Sequence, residues 1–406
     1  MRILLVNDYA TPKGGAEIQM LGIREGLRER GHDVRLFASA AGGAREGTAA
    51  DYVCFGTNSR FRTILQSANP WAYFTLRHAL QEFRPEVVHV RIFLTQLSPL
   101  ILPLLGSVPA LYHACWYRSV CPIGTKLLPD NTPCTVPAGA ACYRNGCLPL
   151  RDWVPLMAQR ALFRRWRHVF DRVIALSDAV RDQLIADDIE PVELMGNGVP
   201  VMAPRPPLSL PPMVAFAGRL SREKGADVLV RAFRHVVSEI PIARLVMAGD
   251  GPERASLVQL VATLGLRSHV TLLGYLTRDE LERSVAKAWV QAIPSRWSEP
   301  FGNVAAEAMM RGTAVVATAS GGLSSLVQDG QTGSLVPTND VDSLARALVR
   351  FLRDRDLAEQ TGRRAREFAL RHLGVEAYFD RLLELYQALI PKGARSNRGP
   401  ASSLPR

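Results

Sequence analysis

The stretch that decides the fold runs from Pro294 to Gly322 and reads PSRWSEPFGNVAAEAMMRGTAVVATASGG. Short apolar runs at Val290–Ile293 and Ala314–Ala317 suit buried parallel strands, and Gly312 stands where the helix between them would end. The order is therefore strand, acidic loop, helix, strand and glycine turn. This order is typical of an α/β domain built on a parallel sheet.

Two carboxylates mark the predicted helix: Glu299 precedes it, and Glu307 lies inside it, eight positions later. Both turns leave the carboxyl ends of strands, where ligands bind in open α/β sheets and where helix N-termini offer N–H groups to phosphate. A diphosphate near Gly321 and Gly322, ribose hydroxyls on Glu307 and a sugar near Glu299 would fit this arrangement. Either glutamate alone could equally stabilise a helix dipole.

The segment SEPFGNVAAEAMMRG at positions 298–312 resembles the signature of family 4 retaining glycosyltransferases. That family has the GT-B architecture, in which two Rossmann-like parallel-sheet α/β domains face each other across a cleft. The resemblance covers nearly the whole chain and implies this fold. It also implies transfer of a sugar from a nucleotide diphosphate sugar with retained configuration, and it places Phe301, Gly302 and Asn303 in the nucleotide-sugar site.

A cationic pair follows the predicted strand Met213–Ala217, in the segment GRLSREKG at positions 218–225. Arginine offers a planar fork and lysine a compact charge, and both can neutralise a diphosphate. The segment resembles the family's pyrophosphate site. The resemblance therefore implies catalytic roles for Arg219 and Lys224, together with Glu299, and a nucleotide-sugar contact at Gly218.

The next predicted strand, Leu245–Ala248, leads into the turn Gly249, Asp250 and Gly251. This turn also resembles a family motif that lines the nucleotide cleft. Its residues are therefore expected to contact the nucleotide sugar.

The N-terminal half shows the same alternation of strand and helix. Residues 2–6 predict a strand, and Gly14–Gly15 open an amphipathic helix whose amides could face phosphate. Ala110–His113 predicts another strand. The resemblance implies that the glycine pair lies near the donor phosphate and that His113 is the active-site histidine against the donor sugar. No catalytic role is predicted for His89.

Composition limits the function classes. A chain of 406 residues suits two domains, and a net charge of +11 favours acidic partners such as nucleotides, phospholipid or a pyrophosphate-bearing acceptor. Nucleic acid is not expected as a partner, since no recognised motif accompanies the charge. The apolar run Ile3–Val6 is too short for a signal-peptide core, so a cytoplasmic location is expected.

An uncharged stretch at Ile92–Tyr117 is long enough to span a bilayer. The prolines within it favour a buried helix, turn and strand instead.

A cysteine-rich insertion occupies residues 115–150, where five of the six cysteines fall. Four thiolates suit zinc or an iron–sulfur cluster, but the intervals lack paired C-x-x-C knuckles, and buried thiols are the alternative. No cofactor is otherwise expected. The segment CPIGTKLLPDNTPC resembles an insertion in a subgroup of the family, and its position suggests the acceptor side. The candidate metal ligands are Cys121, Cys134, Cys142 and Cys147.

A basic amphipathic helix is predicted from Trp153 to Phe170, with four arginines among tryptophan, leucine and phenylalanine. Such a helix can lie on an anionic membrane at the inner face, which a polyprenyl-linked acceptor would require. A solvated helix face is the alternative.

The predicted organisation has five parts: an N-terminal acceptor-side domain at 1–197, a proline-rich linker at 198–212, a nucleotide-sugar-binding domain at 213–373, a helix at 374–390 that crosses back to the first domain, and a disordered basic tail at 391–406.

The predicted function is glycosyl transfer to a glycan or lipid-linked acceptor, in the setting of surface polysaccharide synthesis. Three alternatives stay open: a glycoside hydrolase, a nucleotide-sugar epimerase of related fold and a non-catalytic nucleotide-sugar-binding subunit.

Overall fold

The computed structural model describes residues 1–11, 14–42, 50–59 and 62–390. The predicted basic tail at 391–406 lies outside the described residues. The chain divides into two compact units. The first comprises Met1–Pro129, Thr135–Gly196 and the chain from Tyr378 onward, and the second comprises Asp130–Cys134 and Asn197–Ala377.

In the described part of the first unit, seven parallel strands form one sheet in the order β3-β2-β1-β4-β5-β6-β7. The strands are β1 Arg2–Tyr9, β2 Asp33–Ser39, β3 Tyr52–Cys54, β4 Val87–Val90, β5 Ala110–Ala114, β6 Arg172–Ala175 and β7 Val192–Leu194. The helices between them are α1 Gly15–Glu29, α2 Arg62–Ser67, α3 Pro70–Phe83, α4 Ala140–Arg144, α5 Leu150–Trp166 and α6 Asp178–Ile185.

The second unit has six parallel strands in the order β10-β9-β8-β11-β12-β13. The strands are β8 Met213–Ala217, β9 Arg244–Ala248, β10 Val270–Gly274, β11 Val290–Ile293, β12 Ala314–Thr318 and β13 Gly333–Val336. The helices are α7 Ala226–Glu239, α8 Arg254–Thr263, α9 Arg278–Val285, α10 Asn303–Arg311, α11 Gly322–Leu326, α12 Val341–Arg353 and α13 Arg355–His372.

The predicted α/β fold with two parallel-sheet domains is confirmed. In each sheet the strand order reverses beside the first strand, between β1 and β4 and between β8 and β11. Ligands bind outside the carboxyl ends of strands at such switch points, because the connections leave in opposite directions there. The central strands are almost fully buried; every residue of β11 and β12, for example, is buried.

The last helix, α14 Val375–Leu389, is grouped with the first unit from Tyr378 onward. Its side chain Phe379 lies against α1, where a Cβ at Gly26 would collide with the Phe379 ring, and the Arg30 guanidinium stacks over that ring at 4.1 Å. The proline-rich segment 198–212 forms no helix or strand. Its Leu208 belongs to the core of the second unit.

Two details of the first unit differ from the sequence-based expectations. The predicted helix within Ile92–Tyr117 is a 3₁₀ helix at Pro99–Ser107, which suits its internal proline. The predicted basic helix ends at Trp166 and continues as a 3₁₀ turn at Arg167–Val169. Within the described ranges, no helix is both long and apolar enough to cross a membrane.

Candidate functional site

Four loops lie at the carboxyl ends of neighbouring strands in the second unit. They follow β9, β8, β11 and β12, which are adjacent in the sheet. These loops carry most of the residues that the sequence singled out: 218–225, 249–251, 294–302 and 319–322. Their common edge is therefore a candidate ligand site at the switch point of this sheet.

The loops after β8 and β9 are joined backbone to backbone. The Gly218 amide donates to Ala248 at 3.0 Å, and the Leu220 amide donates to the carbonyl of Asp250 at 2.9 Å. Gly249 has a φ of 134°, and a Cβ there would collide with the Gly218 carbonyl. Glycine is required at this position by both the conformation and the close approach.

The loops after β11 and β12 are joined in the same way. Gly321 forms a parallel bridge with Glu299, and the Gly322 amide donates to the Glu299 carbonyl at 2.6 Å. Gly321 has a φ of 59°, and a Cβ there would collide with the Glu299 backbone. The glycine pair therefore fixes the backbone that carries Glu299.

Lys224 and Glu299 form an ion pair at the centre of this edge. The Lys224 ammonium lies 2.6 Å from Glu299 Oε1, and the Ser295 hydroxyl donates to the same oxygen at 2.5 Å. Burial alone would raise the pKa of the Glu299 carboxyl, but the charge and hydrogen bond of Lys224 hold it below its usual value. The Lys224 ammonium also lies 4.9 Å from the centre of the Trp297 ring. Glu299 is thus an ionised, buried carboxylate.

Arg296 connects the loop of Glu299 to the loop of Lys224. Its guanidinium makes two hydrogen bonds to the Asp227 carboxylate at 2.6 and 2.7 Å and a third to the carbonyl of Arg222 at 3.0 Å. Its amide donates to the carbonyl of Glu223 at 2.8 Å. Burial alone would raise the pKa of Asp227, but the hydrogen bonds and the charge of Arg296 hold that pKa below its usual value. Sequence reasoning assigned no role to Arg296 or Asp227, which lie 69 positions apart.

Arg219 differs from the other cations of this edge. It is exposed, and its side chain forms no hydrogen bond or ion pair with another residue that the structure describes. Asp250, in the adjoining loop, is also exposed, and its carboxylate accepts the Gly251 amide at 2.7 Å. The Arg219 side chain is therefore a solvated cation in the loop after β8, and it is available to an anionic ligand.

Glu307 lies on α10, a helix that begins after Gly302, which has a φ of 104°. Burial raises the pKa of the Glu307 carboxyl, while the charges of Arg278 and Arg311 oppose that rise. Phe301 and Gly302 are buried, and the Asn303 side chain accepts a hydrogen bond from Asn197 at 2.9 Å.

In the first unit, His113 is the second-to-last residue of β5 and is fully buried. Neither of its ring nitrogens has a hydrogen-bond partner among the described residues. Its ring stacks on that of His89 with centroids 5.4 Å apart and planes 17° apart. Burial, Arg91 and His89 together hold the pKa of His113 well below its usual value. His113 is therefore a neutral imidazole.

His89 has a partner from the other end of the chain. Its Nδ1 lies 2.6 Å from the hydroxyl of Tyr386 on α14, and burial lowers the His89 pKa to about 3. No local pattern predicts this contact, because the two residues are 297 positions apart. Because His89 also stacks on His113, the helix α14 is connected to the candidate catalytic histidine through the side chain of His89.

Gly14 caps α1 in an extended conformation, and Gly15 is the first residue of that helix. A Cβ at Gly14 would lie 2.8 Å from a carboxylate oxygen of Glu17. Burial raises the pKa of Glu17. The Glu17 carboxyl therefore lies close to Gly14. Glu17 was not among the site residues predicted from the sequence.

The cysteine-rich insertion contains the 3₁₀ turn Tyr117–Ser119 and helix α4. Cys121 is buried, and the other three candidate ligands are partly buried. Over the described ranges, no group of three or more His, Cys, Asp or Glu side chains is arranged to hold a metal ion. The geometry gives the four-cysteine metal site no support, and that site stays a prediction.

Two family models match the chain. Residues 13–203 match the model described as Glycosyltransferase Family 4, and residues 205–368 match the model described as Glycosyl transferases group 1. The D-inositol 3-phosphate glycosyltransferase of Nocardia farcinica is 37% identical over 203 residues, covering 48% of this chain and 45% of that protein. The alpha-D-kanosaminyltransferase of Streptomyces kanamyceticus is 30% identical over 178 residues, covering 44% and 46%. The chain thus spans less than half the length of these two relatives.

Solved structures with the same fold cover the chain more fully. Sucrose-phosphate synthase from Thermosynechococcus elongatus has a TM-score of 0.74 at 23% identity, covering 96% of this chain and 99% of its own. HepE of Anabaena, solved in complex with UDP-glucose, has a TM-score of 0.69 at 20% identity, covering 96% and 100%. The chain therefore shares the GT-B type of fold with these proteins and is similar to glycosyltransferases in both of its units.

Proposed function

We propose that the chain is a retaining glycosyltransferase of the family 4 type, which moves a sugar from a nucleotide diphosphate sugar to a glycan or lipid-linked acceptor. The observation that carries the proposal is the placement of Arg219 and Lys224. Both cations stand on the loop after β8, at the switch point of the second sheet, and the Arg219 side chain has no hydrogen-bond or ion-pair partner among the described residues. A diphosphate would supply a negatively charged partner for the Arg219 side chain.

The chemistry requires stabilisation of the leaving group. As the bond between the anomeric carbon and the β-phosphate oxygen breaks, negative charge grows on that phosphate. Arg219 and Lys224 would interact more strongly with the charge as it grows, and such differential interaction accelerates the reaction, whereas equal binding of ground and transition states does not. The amides near Gly321 and Gly322 lie in the adjoining loop and would add to this effect.

Glu299 and Glu307 would hold the donor. The ionised carboxylate of Glu299 is positioned by Lys224 and Ser295, so it can accept hydrogen bonds from sugar hydroxyls as soon as a donor arrives. Glu307 would accept hydrogen bonds from the ribose. The pairing of Glu299 with a lysine argues against its acting as a proton donor in a hydrolase, since a general acid needs a raised pKa.

The first unit would serve the acceptor and the donor sugar. A neutral His113 donates one hydrogen bond from one ring nitrogen and accepts one at the other, which suits sugar hydroxyls. HepE was solved with UDP-glucose bound. This supports a nucleotide-sugar donor for the present chain but does not identify the base of its nucleotide. We further propose that the acceptor is an intermediate of surface polysaccharide synthesis.

Product analysis with a donor labelled in the sugar tests the proposal. Screening UDP-, GDP- and ADP-sugars by thermal shift first selects the donor, because a ligand at 100 times its Kd stabilises by about 2.7 kcal/mol. The proposal predicts that the label moves to an acceptor with unchanged anomeric configuration. Release as free sugar would indicate a hydrolase, isomerised donor an epimerase, and unchanged donor with tight binding a non-catalytic subunit.

A further inference from the structure

An exposed aromatic patch lies on the first unit, where the chain leaves β3 and begins α3. We define it as Phe55, Trp71 and Phe74, which are 49%, 53% and 64% exposed. Ile64 on the neighbouring α2 is 63% exposed. Large apolar side chains at this exposure carry a hydration cost, and a contiguous group of them marks an interaction surface.

The patch is contiguous and rigidly supported. The rings of Phe55 and Trp71 lie 5.0 Å apart between centroids, and Phe74 is three positions after Trp71, on the same face of α3. The Asn69 side chain donates to the Phe55 carbonyl at 3.0 Å and accepts the Ala72 amide at 3.1 Å, which fastens the loop after β3 to the start of this helix.

The rest of α3 explains why the patch is not part of the core. Its opposite face supplies the buried side chains of the helix, Ala72, Leu76, Ala79 and Phe83. The fold therefore uses one face of the helix and leaves the aromatic face to solvent.

Basic side chains without carboxylate partners flank the patch. Arg77 follows Phe74 by one turn of α3, and Arg62 begins α2; both are exposed, and neither forms a side-chain hydrogen bond or ion pair with another described residue. Acidic residues of the neighbourhood have partners within the chain. Glu82 pairs with Arg35 at 3.0 Å and Asp51 with Arg24 at 2.7 Å. Asp152, which accepts a hydrogen bond from Thr63 beside Arg62, lies 3.6 Å from Arg151. The face therefore combines exposed aromatic rings with uncompensated positive charge.

The basic helix predicted to contact a membrane has a different environment. In α5 and the turn after it, Arg160 pairs with Asp187, and Arg164 lies 3.4 Å from Asp188. Arg167 donates to the carbonyl of Asp187. Three of its four arginines thus hold α5 to the end of α6, and the aromatic patch offers the better surface.

We propose that the aromatic patch, with Arg62 and Arg77, docks the chain onto a bilayer that contains anionic lipids. Aromatic rings are stabilised at the level of the headgroups, and each basic residue near an anionic surface contributes about 1 kcal/mol. This inference is independent of the proposed glycosyl transfer.

A second copy of the chain fits this face less well. In a two-fold dimer the same patch meets itself, so Arg62 and Arg77 would approach their own copies. Like charges across an interface oppose association, whereas phosphate headgroups complement both arginines.

Vesicle co-sedimentation of the full chain tests the inference. The vesicles are phosphatidylcholine alone or phosphatidylcholine with phosphatidylglycerol. The wild-type chain is expected to bind the anionic vesicles at least about tenfold more tightly than the neutral ones. Trp71→Ser with Phe74→Ser should weaken binding to the anionic vesicles by about tenfold or more, and Arg62→Gln with Arg77→Gln should remove the preference for them.

A matched control uses two exposed apolar residues elsewhere on the first unit, Ile185 and Leu194. Their double serine variant is expected to bind as the wild type does. Equal binding by the Trp71/Phe74 variant and the wild type would overturn the inference. So would a dimer in the absence of vesicles that this variant dissociates, because the face would then belong to a second copy of the chain.

Discussion

The Lys224 ammonium lies 2.6 Å from Glu299 Oε1, although the two residues are 75 positions apart. Their side chains are 27% and 8% exposed, so the pair is partly shielded from water and its partners depend on each other. A carboxylate this buried needs a compensating charge. The pair therefore links the chemistry of the candidate site to the stability of the second unit.

Replacing Lys224 alone should destabilise the protein by about 1–3 kcal/mol, because Glu299 is left as a buried, unpaired charge. Lys224→Ala with Glu299→Gln should recover much of that loss, since the uncompensated carboxylate is gone. Urea unfolding of the wild type, both single variants and the double variant gives the coupling free energy. Additive effects of the two substitutions would contradict the pairing.

The same coupling should depend on pH with a definite sign. The pKa of Glu299 is lowered in the folded chain from its usual 4.5, so the pair stabilises the fold fully above pH 4.5 and loses this contribution as the pH falls through the lower folded value. The coupling free energy between Lys224 and Glu299 should therefore shrink below pH 4.5. A coupling that grows on acidification would have the wrong sign.

Arg296 is expected to position the site without touching substrate. Arg296→Lys keeps the charge but loses the two-pronged contact with Asp227, so turnover should fall at least about tenfold. Asp227→Asn should act in the same direction. Arg205→Lys is the matched control, because Arg205 is also largely buried and lies near Glu359, away from the four loops; it should lower stability but leave turnover unchanged.

Glu307 should make nucleotide binding depend on pH. Its raised pKa means that acidification protonates it earlier than an ordinary glutamate, and the ribose then loses a charged acceptor. The affinity for a nucleoside diphosphate should therefore fall as the pH is lowered from neutral. Calorimetry should show this fall in the wild type and not in Glu307→Gln. The same pH dependence in both proteins would exclude Glu307 as its source.

The sequence predicted the elements of the second unit well, because most of its strands are short, mainly apolar runs and the loops after β8, β9, β11 and β12 contain glycine. β8 and β11 have the bounds that were predicted. The strands β3 and β7 were missed, since each has three residues and too short a pattern to identify. Short runs of this kind form strands only because longer neighbours provide the pairing edge.

Contacts between distant positions could not be predicted from local pattern. The hydrogen bond between Tyr386 and His89 and the ion pair of Arg296 with Asp227 form only when distant elements pack together in the folded chain. The motif around Glu299 indicated a ligand site. It did not indicate that Lys224 neutralises this carboxylate, because the two lie on loops of different strands.

The central claim is that the loops after β8, β9, β11 and β12 bind the pyrophosphate of a nucleotide sugar. Its most direct test is a thermal shift with a nucleoside, its monophosphate and its diphosphate, applied to the wild type and to Arg219→Ala, with exposed Arg234→Ala as control. The diphosphate should stabilise the wild type and the control far more than the nucleoside does, and Arg219→Ala should bind it about tenfold more weakly, which is roughly 1.4 kcal/mol. Equal stabilisation by nucleoside and diphosphate, or an undiminished diphosphate response in Arg219→Ala, would contradict the claim.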